Sequence, residues 1–231
     1  MNPDPVLQAL AEQAIVLVED GARVGLGSGR ASAAFITLLG ARVKQGLRVS
    51  GVPTSDASDR QARSLGIPII ELTEDLELDV TVDGADEVAP NLDLIKGWGG
   101  ALVRERIVAA ASLRQVILVG EEKLVRTLGE RGRIPVEVIP LARGPVTRAL
   151  KALGLIPTLR MEGSQPSLTD NRNLTIDCAL PAPLHDGKAA RNLEAALLAI
   201  PGVVDTGLFL GTAERVLVGH PDRPVGTRRP K

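Results

Sequence analysis

Two carboxylates three residues apart in "DGADE", Asp83 and Asp86, would repel each other in a tight turn unless they faced a polyhydroxy ligand or a cation. A cation, Lys96, lies ten residues beyond Asp86. The purely structural alternative is a strand-ending turn with acidic helix caps. Further on, Glu105 sits early in "ALVRERIVAAAS", a helix whose other residues are mostly apolar. Successive helical positions turn by about 100°, so Arg104, Glu105 and Arg106 cannot all reach water from a helix packed on a sheet. At least one is expected inside. A carboxylate held in a dry site beside cations and near a helix N-terminus is the equipment of a general base; a buried ion pair is the structural alternative.

A second group of residues suits an anion. "GLGSGR" (25–30) places bare backbone N–H groups ahead of a helix N-terminus, as a phosphate requires, and Arg30 adds a forked positive charge. A dinucleotide fingerprint would need glycine at position 30 and an acidic residue ending the second strand, so NAD is disfavoured. A tight connection between strand and helix is the plainer reading of the same glycines. "PTSDAS" (53–58) and "DGADE" (83–87) are the other two loops with chemistry-bearing side chains.

The elements that must position these loops follow from periodicity. An N-cap and proline at Asp4-Pro5 open a helix expected to end at Gly21. "RVGLGSGRASAAFITLLG" reads as strand, glycine turn and helix. "LRVSGV", "IPIIEL", "LDVTVDG" and "QVILVG" read as further strands, with helices between them. This alternation predicts an α/β fold, an open, mostly parallel sheet flanked by helices, and the three loops then fall at its carboxyl edge, where such sheets bind ligands. From about Arg133 the order changes to β-α-β-β-α-β, the split arrangement of a smaller ferredoxin-like α+β domain. "AERVLVGH" is a last strand returning to the first sheet. The expected organisation is a catalytic domain of residues 1–131 plus 207–220, a small domain of 132–206, and a loose basic tail of 221–231.

Composition limits the partners. The 231 residues carry 27 Lys plus Arg against 28 Asp plus Glu, so no global field favours nucleic acid or an anionic membrane. Hydrophobic residues make up 44% and charged residues 24%, with mean hydropathy +0.12, the balance of a soluble globular chain. Aromatic residues are only 1%, which removes the base-stacking platforms that single-stranded nucleic acid uses. No basic and apolar leader pattern opens the chain and no apolar run nears the ~20 residues of a membrane span. A cytoplasmic location is expected. A single cysteine, Cys178, excludes an internal disulfide and reads as a small buried hydrophobe. His185 and His220 alone could not furnish a metal site.

"VDGADEVAPNLDLIKGWGGALVRERIV", "GLGSGRASAAF", "PTSDAS", "PVEVIPLAR", "TDNRN" and "IPGVVDTGLF" stand in the order and spacing of type A ribose-5-phosphate isomerases, and the chain resembles that family over nearly its whole length. The resemblance implies interconversion of ribose 5-phosphate and ribulose 5-phosphate in the non-oxidative pentose phosphate pathway, without metal or organic cofactor, by a homodimer. It assigns Glu105 as the base moving a proton between C2 and C1. Asp83, Asp86 and Lys96 would line the sugar, assist ring opening and handle protons on oxygen as an enediolate forms. Ser28, Gly29, Arg30 and Ala31 fall on the phosphate loop, Ser55 and Asp56 on a neighbouring loop, and Gly97 and Lys123 near the same pocket.

Three departures from the family pattern stand out. The phosphate loop usually reads Gly-Thr-Gly-Ser-Thr and here reads "GSGRA", so Arg30 and Ala31 replace two hydroxyl donors and the Arg30 guanidinium is expected to take over phosphate binding. Trp98 interrupts an expected glycine run, where packing under the small domain or at a subunit contact is favoured over stacking on substrate. Leu7 and Gln8 occupy the region where a lysine is often found. The altered loop keeps two other readings open: an isomerase or deaminase acting on another sugar phosphate, and a non-catalytic sugar-phosphate sensor.

Overall fold

The computed structural model describes residues 4–230. The chain divides into two compact units, one of residues up to Ala85, Arg104–Lys123 and residues from Thr212 onward, the other of Asp86–Val103 and Leu124–Gly211.

In the first unit, helix α1 (Pro5–Ile15) opens on Asp4, whose side chain accepts from Val6 N at 3.0 Å. It stops at Ile15, short of the expected end at Gly21, because Val18 leaves the helix to join the core and the chain then turns into the sheet. Strand β1 (Ala22–Leu26), helix α2 (Arg30–Lys44), strand β2 (Val49–Pro53), helix α3 (Asp56–Ser64) and strand β3 (Val80–Gly84) follow. The expected strand "IPIIEL" forms only one bridge, Ile69 with Gly51, flanked by bonds from Gly51 N to Pro68 O and from Ile70 N to Gly51 O. Pro68 has no N–H to extend the ladder, and the chain beyond Leu72 is largely exposed.

The short strands β4 (Glu87–Val88) and β5 (Leu94–Ile95) belong to the second unit and lead to helix α4 (Leu102–Ala110) and strand β6 (Gln115–Gly120). The second unit continues through β7 (Arg133–Val138), α5 (Arg143–Ala152), β8 (Ile156–Leu159), the small hairpin β9 (Met161–Glu162) and β10 (Gln165–Pro166), β11 (Leu174–Ala179), α6 (Gly187–Leu198), β12 (Val203–Thr206) and β13 (Leu208–Phe209). Strands β14 (Arg215–Gly219) and β15 (Gly226–Arg228) close the first unit.

The large sheet has the order β15-β14-β6-β3-β1-β2, parallel except for β15. Its central strands carry near-continuous apolar runs, as burial on both faces demands. Helices α1, α2 and α3 cover one face through Leu10, Phe35, Leu39 and Ala62, which pack with Val24, Val82 and Leu118. Helix α4 covers the other, where Val108 packs with Val52 and Leu78. Within the segment 221–231, expected as a loose tail, Gly226–Arg228 pair as β15, with Gly226 opposite Val218 and Arg228 opposite Val216. Pairing satisfies backbone groups that an unpaired β14 edge would leave open.

In the second unit, β12-β7-β11-β8 form an antiparallel sheet, the order of a β-α-β-β-α-β split motif. Alternation puts Ile134, Val136, Ile176 and Cys178 into a core shared with Val146, Leu150 and Leu197 of the two helices. Burial pushes the Cys178 thiol up to about 12, consistent with an inert packing role. A second small sheet, β13-β5-β4, is antiparallel.

Candidate active site

Parallel strands end on one edge, so the residues that follow β1, β2, β3 and β6 converge there. After β1, Ser28 N donates to Asp83 Oδ1 at 2.9 Å, and Gly84 N and Ser32 Oγ donate to the same oxygen at 2.8 and 3.2 Å. Asp83 is fully buried, and three donors on one oxygen hold its carboxylate in a single orientation. The loop comes this close because residue 27 is glycine: a Cβ there would lie 2.3 Å from Asp83 Oδ1 and 2.5 Å from Val82 O. Ser28 Oγ is 2.8 Å from both Thr54 Oγ1 and Ser55 Oγ, which makes a cluster of hydroxyls at the start of α2 and α3. Ser55 is also the N-cap of α3, in a reciprocal box with Ser58.

Helix α4 is followed by β6, which starts at the opposite edge, and Leu78 N bonds to Ala111 O just beyond the helix. The first turn of α4 therefore lies at the carboxyl edge. Of the three charged residues there, Glu105 is the one held inside, 5% exposed, while Arg104 extends to Asp56 Oδ1 at 2.7 Å. That bond ties the helix carrying Glu105 to the first residue of α3. Lys123 ends the short 3₁₀ turn after β6 at the same edge.

Arg30 begins α2, but its side chain is 83% exposed and its Nη2 donates to Asp4 Oδ2 at 3.1 Å. Gly29 is the N-cap residue, and Ala31 packs against the core of the unit.

The second unit brings Asp86 and Lys96 together. Glu87 pairs with Ile95 across β4 and β5, so the next residues outward, Asp86 and Lys96, face each other; Asp86 N donates to Ile95 O at 2.8 Å. Lys96 is 2% exposed, with its Nζ 5.5 Å from the ring centroid of Phe209, and its N–H donates to Gly207 O at 2.9 Å. Beside them, Glu87 accepts from Gly129 N and Arg131 N at 2.6 and 2.7 Å, and burial holds its carboxyl above the usual range despite those bonds. Gly97 has φ +94°, and a Cβ there would meet Leu102 Cβ at 2.7 Å, which reserves the position for glycine. Trp98 packs against the core of this unit, its Nε1 donating to Arg133 O at 3.1 Å, with the Arg131 and Arg133 guanidinium groups over its ring. No group of three or more His, Cys, Asp or Glu side chains able to hold a metal occurs among the described residues.

Sequence reasoning missed Ser32 and Thr54, whose hydroxyls look like ordinary small core residues until the loops are folded. It also missed Arg160 and Asp177, 17 residues apart, the first in the connection between β8 and β9 and the second on β11, with no pattern linking them.

Residues 50–223 match the family model of ribose 5-phosphate isomerase A (phosphoriboisomerase A). The ribose-5-phosphate isomerase A of Gloeobacter violaceus is 48% identical over 221 residues, covering 94% of each chain, and that of Deinococcus radiodurans is 44% identical over 227 residues, covering 96% and 97%. Among solved structures, the ribose 5-phosphate isomerase A of Methanocaldococcus jannaschii superposes with a TM-score of 0.90 at 39% identity, covering 97% of this chain and 98% of its own. A D-ribose-5-phosphate isomerase in complex with phospho-erythronic acid gives 0.92 at 37% identity, covering 99% and 100%. With its parallel sheet, its buried Asp83 and Glu105 and its near-complete match to these proteins, the chain belongs to the ribose-5-phosphate isomerase A family.

Proposed function

We propose that this protein interconverts ribose 5-phosphate and ribulose 5-phosphate through an enediolate, with Glu105 as the base. The observation that carries the reading is Glu105 itself, a carboxylate 5% exposed in the first turn of α4, at the sheet edge where the hydroxyl cluster gathers. In the open-chain aldose, Glu105 removes the C2 proton while O1 gains negative charge; the proton then returns to C1 and O2 becomes the ketone oxygen. Asp83 assists ring opening, and Asp86 and Lys96 handle charge and protons on O1 and O2. An ammonium placed where charge develops stabilises the transition state more than the ground state. Phospho-erythronic acid, the ligand of one family member, carries a carboxylate whose two oxygens resemble those of an enediolate, which supports the same intermediate here. The protein works without metal or organic cofactor, in the cytoplasm, as a homodimer. Among the described residues no helix is long and apolar enough to cross a membrane.

Ser28, Gly29, Ala31, Ser55 and Asp56 are the residues we assign to the phosphate, Gly97 and Lys123 to the sugar, and Arg30 supplies the charge. Its bond to Asp4 is solvent-exposed and therefore weak, so a substrate phosphate competes for the guanidinium on favourable terms. Arg30→Ala is expected to raise KM for ribose 5-phosphate about tenfold, the worth of one charge-assisted hydrogen bond, with kcat within about twofold. An unchanged KM in steady-state kinetics would remove Arg30 from the phosphate site.

The direct test follows chelator-treated protein with ribose 5-phosphate in D2O by NMR. The expected result is ribulose 5-phosphate carrying deuterium at C1, with ribose 5-phosphate gaining deuterium at C2 through the reverse reaction. A folded protein that gives neither product nor exchange would end the isomerase reading, and turnover of glucosamine 6-phosphate or other aldose phosphates would then be compared; binding without turnover would point to a sensor.

A further inference from the structure

The hairpin that presents Asp86 and Lys96 has strands of two residues each, and a ladder so short does not hold its shape alone. The chain leaves it through Gly97–Gly100, where Trp98 supplies the only side chain beyond hydrogen. Glycine-rich backbone has many accessible conformations, so the orientation of these peptide planes has to come from elsewhere.

It comes from Arg160, in the connection between β8 and β9, with a side chain 15% exposed. Its Nε and Nη2 donate to Asp177 Oδ2 and Oδ1 at 3.0 and 2.5 Å, a bidentate pair with a carboxylate 9% exposed. Its Nη1 donates to two main-chain carbonyls, Gly97 O at 3.2 Å and Trp98 O at 3.1 Å. The Gly97 carbonyl and the Trp98 N–H are opposite ends of one planar peptide. That N–H donates to Asp86 Oδ2 at 2.9 Å. A continuous series of bonds thus runs from the Asp177 carboxylate through the guanidinium and one peptide unit to the Asp86 carboxylate, and a carbonyl polarised by a cation makes its own N–H a stronger donor.

We infer that Arg160, oriented by Asp177, is a positioning residue for the isomerisation, fixing the Gly97–Trp98 peptide so that Asp86 and the adjoining Lys96 are held in working geometry. The inference rests on the reading of Asp86 and Lys96 as groups that serve the enediolate. A purely structural role for the ion pair would need only Asp177 and a cation on the neighbouring strand, and Arg133 Nη1 already lies 3.5 Å from Asp177 Oδ2. Losing the Arg160 head group therefore leaves the sheet with an ion pair but releases both carbonyls. Lysine cannot replace it, because a single ammonium lacks the planar fork that reaches Asp177 and the two carbonyls at once.

The test uses the full-length protein with Arg160→Lys, Arg160→Ala and Asp177→Asn, measuring kcat and KM for ribose 5-phosphate together with thermal unfolding. Displacement of a reacting group by about 1 Å costs on the order of a hundredfold. Arg160→Lys and Arg160→Ala are expected to lose about 10- to 100-fold in kcat with KM within about threefold, and to melt within about 5 °C of the parent. Added guanidinium ion should restore part of kcat to Arg160→Ala and none to Arg160→Lys, whose side chain fills the space. Asp177→Asn should show a smaller loss of the same kind. Full kcat in a folded Arg160→Lys variant would overturn the inference, as would activity lost only in proportion to unfolded protein with no guanidinium rescue. A parent protein without turnover would instead overturn the isomerase reading itself.

Discussion

Glu105→Gln is expected to abolish isomerisation while leaving the protein folded. Glutamine keeps the shape of the side chain and removes its basicity, at a position 5% exposed in the first turn of α4. A positioned general base contributes about 10²- to 10⁴-fold, and here the same carboxylate both takes and returns the carbon-bound proton, so the upper end applies to kcat. KM should change little, because the role proposed for Glu105 is at the reacting carbons rather than at the phosphate. The decisive readout is deuterium exchange in D2O, which must disappear with product formation. A Glu105→Gln protein that still exchanges the C2 proton would transfer the role of base to another residue, and Asp83, fixed by three donors at the same sheet edge, would be examined next.

Lys96→Met should show a different pattern, a large loss of activity in a protein that still folds. Lys96 is 2% exposed, its ammonium set over the Phe209 ring at 5.5 Å, and methionine keeps a side chain of similar length while removing the charge. Removing one preorganised group that meets developing oxyanion charge typically lowers kcat by about 10²- to 10³-fold. We expect that loss in a protein that still unfolds in one cooperative thermal transition. Deuterium exchange and ketose formation should fall by the same factor, because the role proposed for the lysine is to stabilise the enediolate from which both arise. A variant with kcat within a few-fold of the parent would restrict Lys96 to a structural part.

The two variants separate the roles that the sequence places side by side. Both residues lie in one stretch of 26 residues whose composition suits neither a clean strand nor a clean helix, and the structure assigns Lys96 to the second unit and Glu105 to the first.

What the sequence by itself determined follows from local periodicity and side-chain chemistry. Apolar runs such as "QVILVG" can only be strands buried on both faces, which requires a parallel sheet between helices, and the β-α-β-β-α-β order after Arg133 is a matter of element types in a row. The helical rotation of about 100° was enough to show that one of Arg104, Glu105 and Arg106 had to be inside, though not which. Only the tertiary structure decided that it is Glu105, because Arg104 finds Asp56 on a helix 48 residues away. The same holds for the pairing of Asp86 with Lys96, set by the register of two-residue strands too short to carry any pattern, and for Arg30, whose guanidinium rests on Asp4 at the start of another helix. "IPIIEL" has the composition of a strand but meets its neighbour at one bridge, and 221–230 has the composition of a tail but finds an open strand edge. Arg160, just past the end of β8, and Asp177, on the neighbouring β11, meet a loop more than sixty residues earlier in the chain. Sheet register and hydrogen-bond geometry are properties of residues that meet only after folding, so a pattern read along the chain reports which groups exist and not which of them touch.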